Sequence, residues 1–151
     1  MAITHDDPYG AFNFRVTITP GSGSDIKAGF SDVSGLSTEV TYADCRVGTD
    51  PANRARKVPP MRKAGNVTLK RGLAGGLDLF QWMDQVRQGR QDARATVVVE
   101  LMSEDRTGVV MSWKLTGVRP SKYTGPTLAA KSGADVAMEE LTLACEGIGV
   151  E

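Results

Sequence analysis

Phe12, Phe14, Val16 and Ile18 alternate with Asn13, Arg15, Thr17 and Thr19, and this two-residue period constrains the fold more than any other feature of the chain. Successive side chains of a strand point to opposite faces, so the pattern predicts a strand with one dry and one wet side. Pro20-Gly21-Ser22-Gly23 predicts a turn, and Ile26, Ala28 and Phe30 the returning strand of a hairpin. Leu36–Cys45, rich in Thr, Val and Tyr, also reads as extended, and the period recurs in Val67 and Leu69 and in Val109, Met111, Trp113 and Leu115. Arg94–Ser103 carries Val97-Val98-Val99, apolar on both faces, and Arg106-Thr107-Gly108 reads as the turn that follows it. A last strand is expected over Val136–Cys145.

One segment breaks the rule. In Leu77–Gln88, the residues Leu79, Phe80, Trp82, Met83 and Val86 share one side of a helical wheel, opposite Asp78, Gln81, Asp84, Gln85 and Gln88. Asp78 suits the positive end of such a helix, Arg87 and Arg90 suit the negative end, and Gly89 supplies the stop. With 151 residues there is one domain's worth of chain. The expected fold is therefore mainly β: one domain over 1–151, a barrel or sandwich of about seven or eight antiparallel strands, with one flanking amphipathic helix.

The chemistry-bearing residues are few. Lys plus Arg and Asp plus Glu each number 18, so the chain is neutral, which argues against a globally basic nucleic-acid binder. The sole histidine, His5, lies in a short polar N-terminal stretch, and no GxSxG elbow is present, so a Ser/His or Cys/His device is not expected. Cys45 and Cys145 match no CxxC spacing and read as small half-buried apolar residues. Gly125–Ser132 is close to a GxxxxGK[ST] phosphate loop, but Ala130 replaces the second glycine, and a strand pattern follows where a helix is needed. The expectation is no enzyme, no cofactor and no metal. No apolar run approaches the ~18 residues that span a membrane, and no secretory signal is apparent in Met1–Gly10.

Between Asp50 and Asn66 lie Arg54, Arg56, Lys57, Arg62 and Lys63 against the single Asp50, with Pro59-Pro60 in the middle. From Val47 to Ala64 there is no apolar period, and the stretch reads as an extended arm loop. Without aromatic residues for stacking it is a poor grip for nucleic acid. It reads either as a solvated loop or, preferably, as an arm that docks on a neighbouring copy, Val58 to Met61 giving an apolar anchor. Gly133–Glu151 is its electrical opposite, with Asp135, Glu139, Glu140, Glu146 and Glu151 and no Lys or Arg.

Several segments together resemble the tail tube proteins of contractile phages. They are Asp7-Pro-Tyr-Gly-Ala-Phe-Asn-Phe-Arg-Val16, Gly29-Phe-Ser-Asp-Val-Ser-Gly-Leu36, and Gly65-Asn-Val-Thr-Leu-Lys-Arg-Gly72 followed by Leu77-Asp-Leu-Phe-Gln-Trp82. Lys122-Tyr-Thr-Gly-Pro126, Ala130-Lys-Ser132 and Glu139-Glu-Leu-Thr-Leu143 complete the series in order along the chain. The family includes the inner tube subunits of extracellular contractile injection systems and shares its fold with the tube protein of type VI secretion.

The resemblance implies a subunit made in the bacterial cytoplasm, six copies to a ring, and rings stacked into a hollow tube inside a contractile sheath. The implied partners are further copies of the chain, sheath, baseplate and spike hub, a tube-terminating protein, and an effector protein or phage genome as cargo. Arg54, Arg56, Lys57, Val58 and Met61 are expected at contacts between subunits, with Glu139 and Glu140 as acceptors, and Lys27, Glu39, Thr41 and Ala43 toward the lumen. A tube-initiating or baseplate-proximal ring subunit is the nearest alternative, and a monomeric β-barrel binding module the alternative from another class.

Overall fold

The computed structural model describes residues 9–21, 25–45, 48, 56–73, 77–130 and 136–151. Among these residues ten strands and one α-helix follow one another as β1 (Phe14–Pro20), β2 (Ile26–Ala28), β3 (Asp32–Ser34), β4 (Thr38–Cys45), β5 (Arg56–Ala64), β6 (Val67–Gly72), α1 (Asp78–Arg87), β7 (Ala95–Met102), β8 (Val109–Thr124), β9 (Met138–Ala144) and β10 (Gly147–Val150), with a short 3-10 turn at Gln91–Ala93. Eight strands form one antiparallel sheet in the order β2-β1-β7-β8-β9-β6-β3, with β10 on β8, while β4 and β5 pair separately. The fold is mainly β, as the alternation requires, and the predicted β1–β2 hairpin forms in the register Val16↔Ala28 to Ile18↔Ile26.

β8 holds the two halves of the sheet together. Its first part pairs with β7 as far as Val118, and its second part, from Arg119 to Thr124, pairs with β9. Between them Gly117 takes a positive φ of 59°, and the β9 ladder shifts register just after Pro120. Glycine and proline normally end a strand; here they re-aim it. The inner faces of both halves meet in one core containing Val16, Ile18, Val67, Leu69, Val97, Leu115, Val118, Leu141 and Leu143. Each such side chain contributes roughly 1.5–3 kcal/mol on burial.

The helix lies where its period placed it and buries Leu79 and Trp82. The Trp82 indole N–H donates to the Ala93 carbonyl at 2.6 Å, so the ring enters the core with its polar edge satisfied. Phe80, expected on the same dry face, is half exposed and meets Tyr123 edge-on, with ring centroids 5.7 Å apart. Gly89 ends the helix at φ 78°, a conformation that glycine adopts without strain.

The largest departure from the sequence reading is the arm. From Arg56 to Ala64 it is a strand, not a loop, paired with β4 from Thr38↔Ala64 to Cys45↔Arg56. The register slips once, between Thr41↔Met61 and Ala43↔Val58, which leaves Pro59-Pro60 facing the single residue Tyr42. Proline cannot donate to a ladder, and a bulge is where a sheet tolerates it. The ribbon pairs outside the main sheet.

Candidate assembly surfaces

The arm continues the β3–β6 pair outward. Ser34 pairs with Thr68, and after a narrow neck Thr38 pairs with Ala64. At the neck Gly65 N–H donates to the Ser37 carbonyl at 2.9 Å. Gly35 has φ 83°, and a Cβ there would lie 2.1 Å from the Asn66 carbonyl oxygen. Only glycine fits a positive φ with backbone that close. Along the ribbon Glu39 stands opposite Lys63 and Asp44 opposite Lys57 in register. Arg54 lies outside the described residues, and for Arg56, Lys57, Val58 and Met61 only the strand itself is described.

Glu139 corrects the sequence reading. It was expected as an outward acceptor for the arm, yet its exposure is 2%. It pairs with the Arg71 guanidinium and accepts the Tyr123 hydroxyl hydrogen bond at 2.8 Å. Arg71 reaches it directly because the two residues face each other across β6 and β9. The guanidinium also donates to Asp78 Oδ1 at 2.6 Å and to Oδ2 at 3.3 Å, and its Cζ lies 5.9 Å from the centre of the Phe30 ring. One arginine thus ties β6, β9 and the start of α1, and Glu139 carries the tie on to β8. Glu140, the next residue, points the other way and approaches Lys70 Nζ at 3.8 Å.

This network makes stability depend on pH at both ends. Arg71, hydrogen-bonded to Asp78, holds that carboxyl below its ordinary value of 3.8. A depressed carboxyl stabilises the fold above its unfolded value, and the gain is lost as pH falls through the folded one. The Tyr123 hydroxyl, donating to Glu139, is raised above its ordinary 10.0, so its contribution is full below that pH and lost as pH rises further. Melting temperature should be level between these limits and fall beyond each. Asp78→Asn should shallow the acid limb and Tyr123→Phe the alkaline limb; scans across pH in which both variants keep the parent's slopes would contradict this assignment.

The outer face of the β3-β6-β9-β8 half is polar. Register places Asp32, Lys70, Glu140 and Thr124 in one transverse row, and Ser34, Thr68, Thr142 and Lys122 in the next. All eight are exposed or half-buried, whereas Leu69 and Leu141, their neighbours along the strands, are buried. β3 is the last strand of its sheet, and no described strand pairs with β8 beyond Val118 on the side that β7 occupies before it. Among the described residues this half-sheet therefore has two open edges. Of the expected lumen residues, exposed Glu39 lies on the arm, as do the strand positions of Thr41 and Ala43, and Lys27 lies on the edge strand β2.

Where β8 ends and β9 begins, a groove of about 500 Å³ opens, lined by Asp32, Lys70, Thr124, Val136, Met138 and Glu140 among others. Val136 is 74% exposed at this end, near Leu73, which donates its N–H to the Ala137 carbonyl. The phosphate-loop lookalike leaves β8 here as irregular chain, with Lys131 and Ser132 outside the described residues. Among the described residues there is no cluster of three or more His, Cys, Asp or Glu side chains fit for a metal. No described helix is long and apolar enough to cross a membrane. Cys145 is a free thiol whose pKa burial pushes up, while the Cys45 side chain is outside the description.

A sheet with open edges, a projecting ribbon and a bare polar face is the equipment of an assembling subunit. Residues 10–149 match the family described as T4-like virus tail tube protein gp19, and the chain belongs to that family. Its members are structural tube proteins and not enzymes. Among solved structures, the chain resembles one from the PVC sheath–tube complex of an extracellular contractile injection system, in its extended state (TM-score 0.81, 24% identity, 97% of this chain and 93% of that one). It also resembles one from the sheath/tube terminator of the same system (TM-score 0.82, 26% identity, 98% and 99%). A more distant likeness is to Hcp1 from Flavobacterium johnsoniae (TM-score 0.50, 20% identity, 90% and 94%). None of the curated protein sequences shows significant similarity.

Proposed function

We propose that the chain is the repeating subunit of the inner tube of a contractile injection particle. Six copies close into a ring, and rings stack into a hollow conduit within a sheath. The observation that carries this reading is the half-sheet β3-β6-β9-β8, with its two open edges, apolar inner face and bare polar outer face. Open edges invite pairing with another chain, and a closed ring of such sheets leaves no edge exposed. The polar face then lines the lumen with Ser34, Thr68, Thr142 and Thr124, and with charges of both signs from Asp32, Lys70, Lys122 and Glu140. Cargo slides along such a wall without an apolar patch to hold it.

The arm provides the contact along the tube axis, and its sequence brings Arg54, Arg56, Lys57, Val58 and Met61 to that contact. Sheath, baseplate and terminator are its neighbours in the particle, and release of the particle carries it outside the cell. The 26% likeness to a chain from a sheath/tube terminator structure favours a second reading, a single ring at one end of the tube. Electron microscopy of the concentrated protein separates the two: many-ring hollow rods support the tube subunit, and isolated rings the end piece.

A further inference from the structure

We propose that Arg71 and Asp78 form a latch that acid opens, letting the first turn of α1 leave the sheet while the sheet itself stays folded. The N–H groups that open a helix have no partner within it and look to a side chain for one. Leu77, at the N-cap, supplies no such hydrogen bond. Asp78 stands in its place. Its carboxylate accepts from Arg71 Nη2 at 2.6 Å and from Nη1 at 3.3 Å, a two-bonded grip that fixes the start of α1 to β6. Little else holds this turn, since Leu77 is 64% and Phe80 50% exposed, and only Leu79 is buried. Beyond it the helix has an anchor of its own in Trp82, tied to the Ala93 carbonyl.

Among the described residues, the groups that face the Asp78 carboxyl are Arg71 of β6 and, through it, Glu139 of β9 and Tyr123 of β8. The other charges near α1 are engaged elsewhere. Asp84 pairs with Arg87 on the helix itself, Arg90 with Asp92 in the turn that follows, and Arg94 with Glu146. Lys70 and Glu140 turn to the opposite face of the sheet. Residues 74–76, Ala-Gly-Gly, carry no titratable side chain. Asp78 is therefore the titrating group between helix and sheet. Its carboxyl lies below the ordinary 3.8, chiefly through the Arg71 hydrogen bond. The latch is accordingly closed above that pH and opens as pH falls through the lower, folded-state value. The sheet keeps ties that Asp78 does not touch, a ladder from Val67↔Leu143 to Gly72↔Met138 and the core beneath it. With the turn goes Phe80, which meets the Tyr123 ring on the edge part of β8.

Amide hydrogen exchange on the full chain, corrected for the intrinsic effect of pH, tests the latch. The reporters are the Gln81 N–H, which donates to the Leu77 carbonyl, and those of Trp82 and Met83 behind it, set against the amides of β6 and β9. From about pH 6 to about pH 2 protection of the helix amides should fall roughly tenfold, the scale of one charge-assisted hydrogen bond, with the sheet amides unchanged. Asp78→Asn should abolish that step and hold the lower protection at every pH. Asp84→Asn removes a carboxyl from the same helix but not from the latch, and should keep the step. Helix amides that do not respond, a fall shared equally by helix and sheet, or a step that survives in Asp78→Asn would each overturn the latch. None of these readings requires copies to assemble.

Discussion

Arg71→Leu is expected to lower the melting temperature by on the order of 10 °C or more. The substitution leaves Glu139 at 2% exposure with Tyr123 as its remaining partner. Removing one partner of a buried pair costs about 3–5 kcal/mol, a large share of the ~5–15 kcal/mol that holds a domain together. In a chain of this size each kcal/mol shifts the transition by ~2–4 °C. The loss comes from the stranded charge, not from the ion pair as such, so pairing Arg71→Leu with Glu139→Leu should recover more than half of it. Asp78, with its side chain 35% exposed, tolerates the change by turning to water. Differential scanning calorimetry on the single and double variants is the check. A double variant no more stable than the single one would contradict the account of this network.

The second large effect is on assembly. Replacing Arg54, Arg56 and Lys57 together by Glu reverses the sign of the arm while leaving the main sheet untouched. The melting temperature should stay within a few degrees of the parent, since charged side chains are rarely buried in a core. Long tubes should disappear, leaving rings, because charge complementarity sets register and rate of encounter between copies. Sedimentation at increasing salt gives a second readout, as screening weakens the parent's stacking toward that of the variant. Normal tubes from the triple variant would remove the arm from the stacking contact.

The elements legible in the sequence are those whose side chains report their surroundings. β1, β9 and α1 each bury one face, so their apolar residues fall at the strand or helix period. β5 was illegible because its proline pair, which reads as a break, falls in a bulge of the ladder with β4. β3 and β10, of 3 and 4 residues, are too short to display a period. β8 runs on to Thr124 through Gly117 and Pro120, residue types that normally end a strand, because here they turn it from one half of the sheet to the other.

The candidate surfaces were legible in a similarly uneven way. Clustered charge marked the arm, but Glu139 and Glu140 look alike in sequence. The partner that takes Glu139 inward, Arg71, lies 68 residues away. Alternation told which residues of β6 and β9 share a face, not that the polar face would stay bare. That property depends on what the rest of the chain covers, and it surfaced only with the sheet order.

The claim at the centre of this account is that copies join edge to edge around a channel. Electron microscopy of the purified full-length protein at rising concentration tests it most directly, with end-on views averaged and their rotational symmetry measured. The account predicts six-fold annuli with an open centre, stacking into hollow rods. Solid particles of one chain at every concentration, or fibres with no channel, would contradict it.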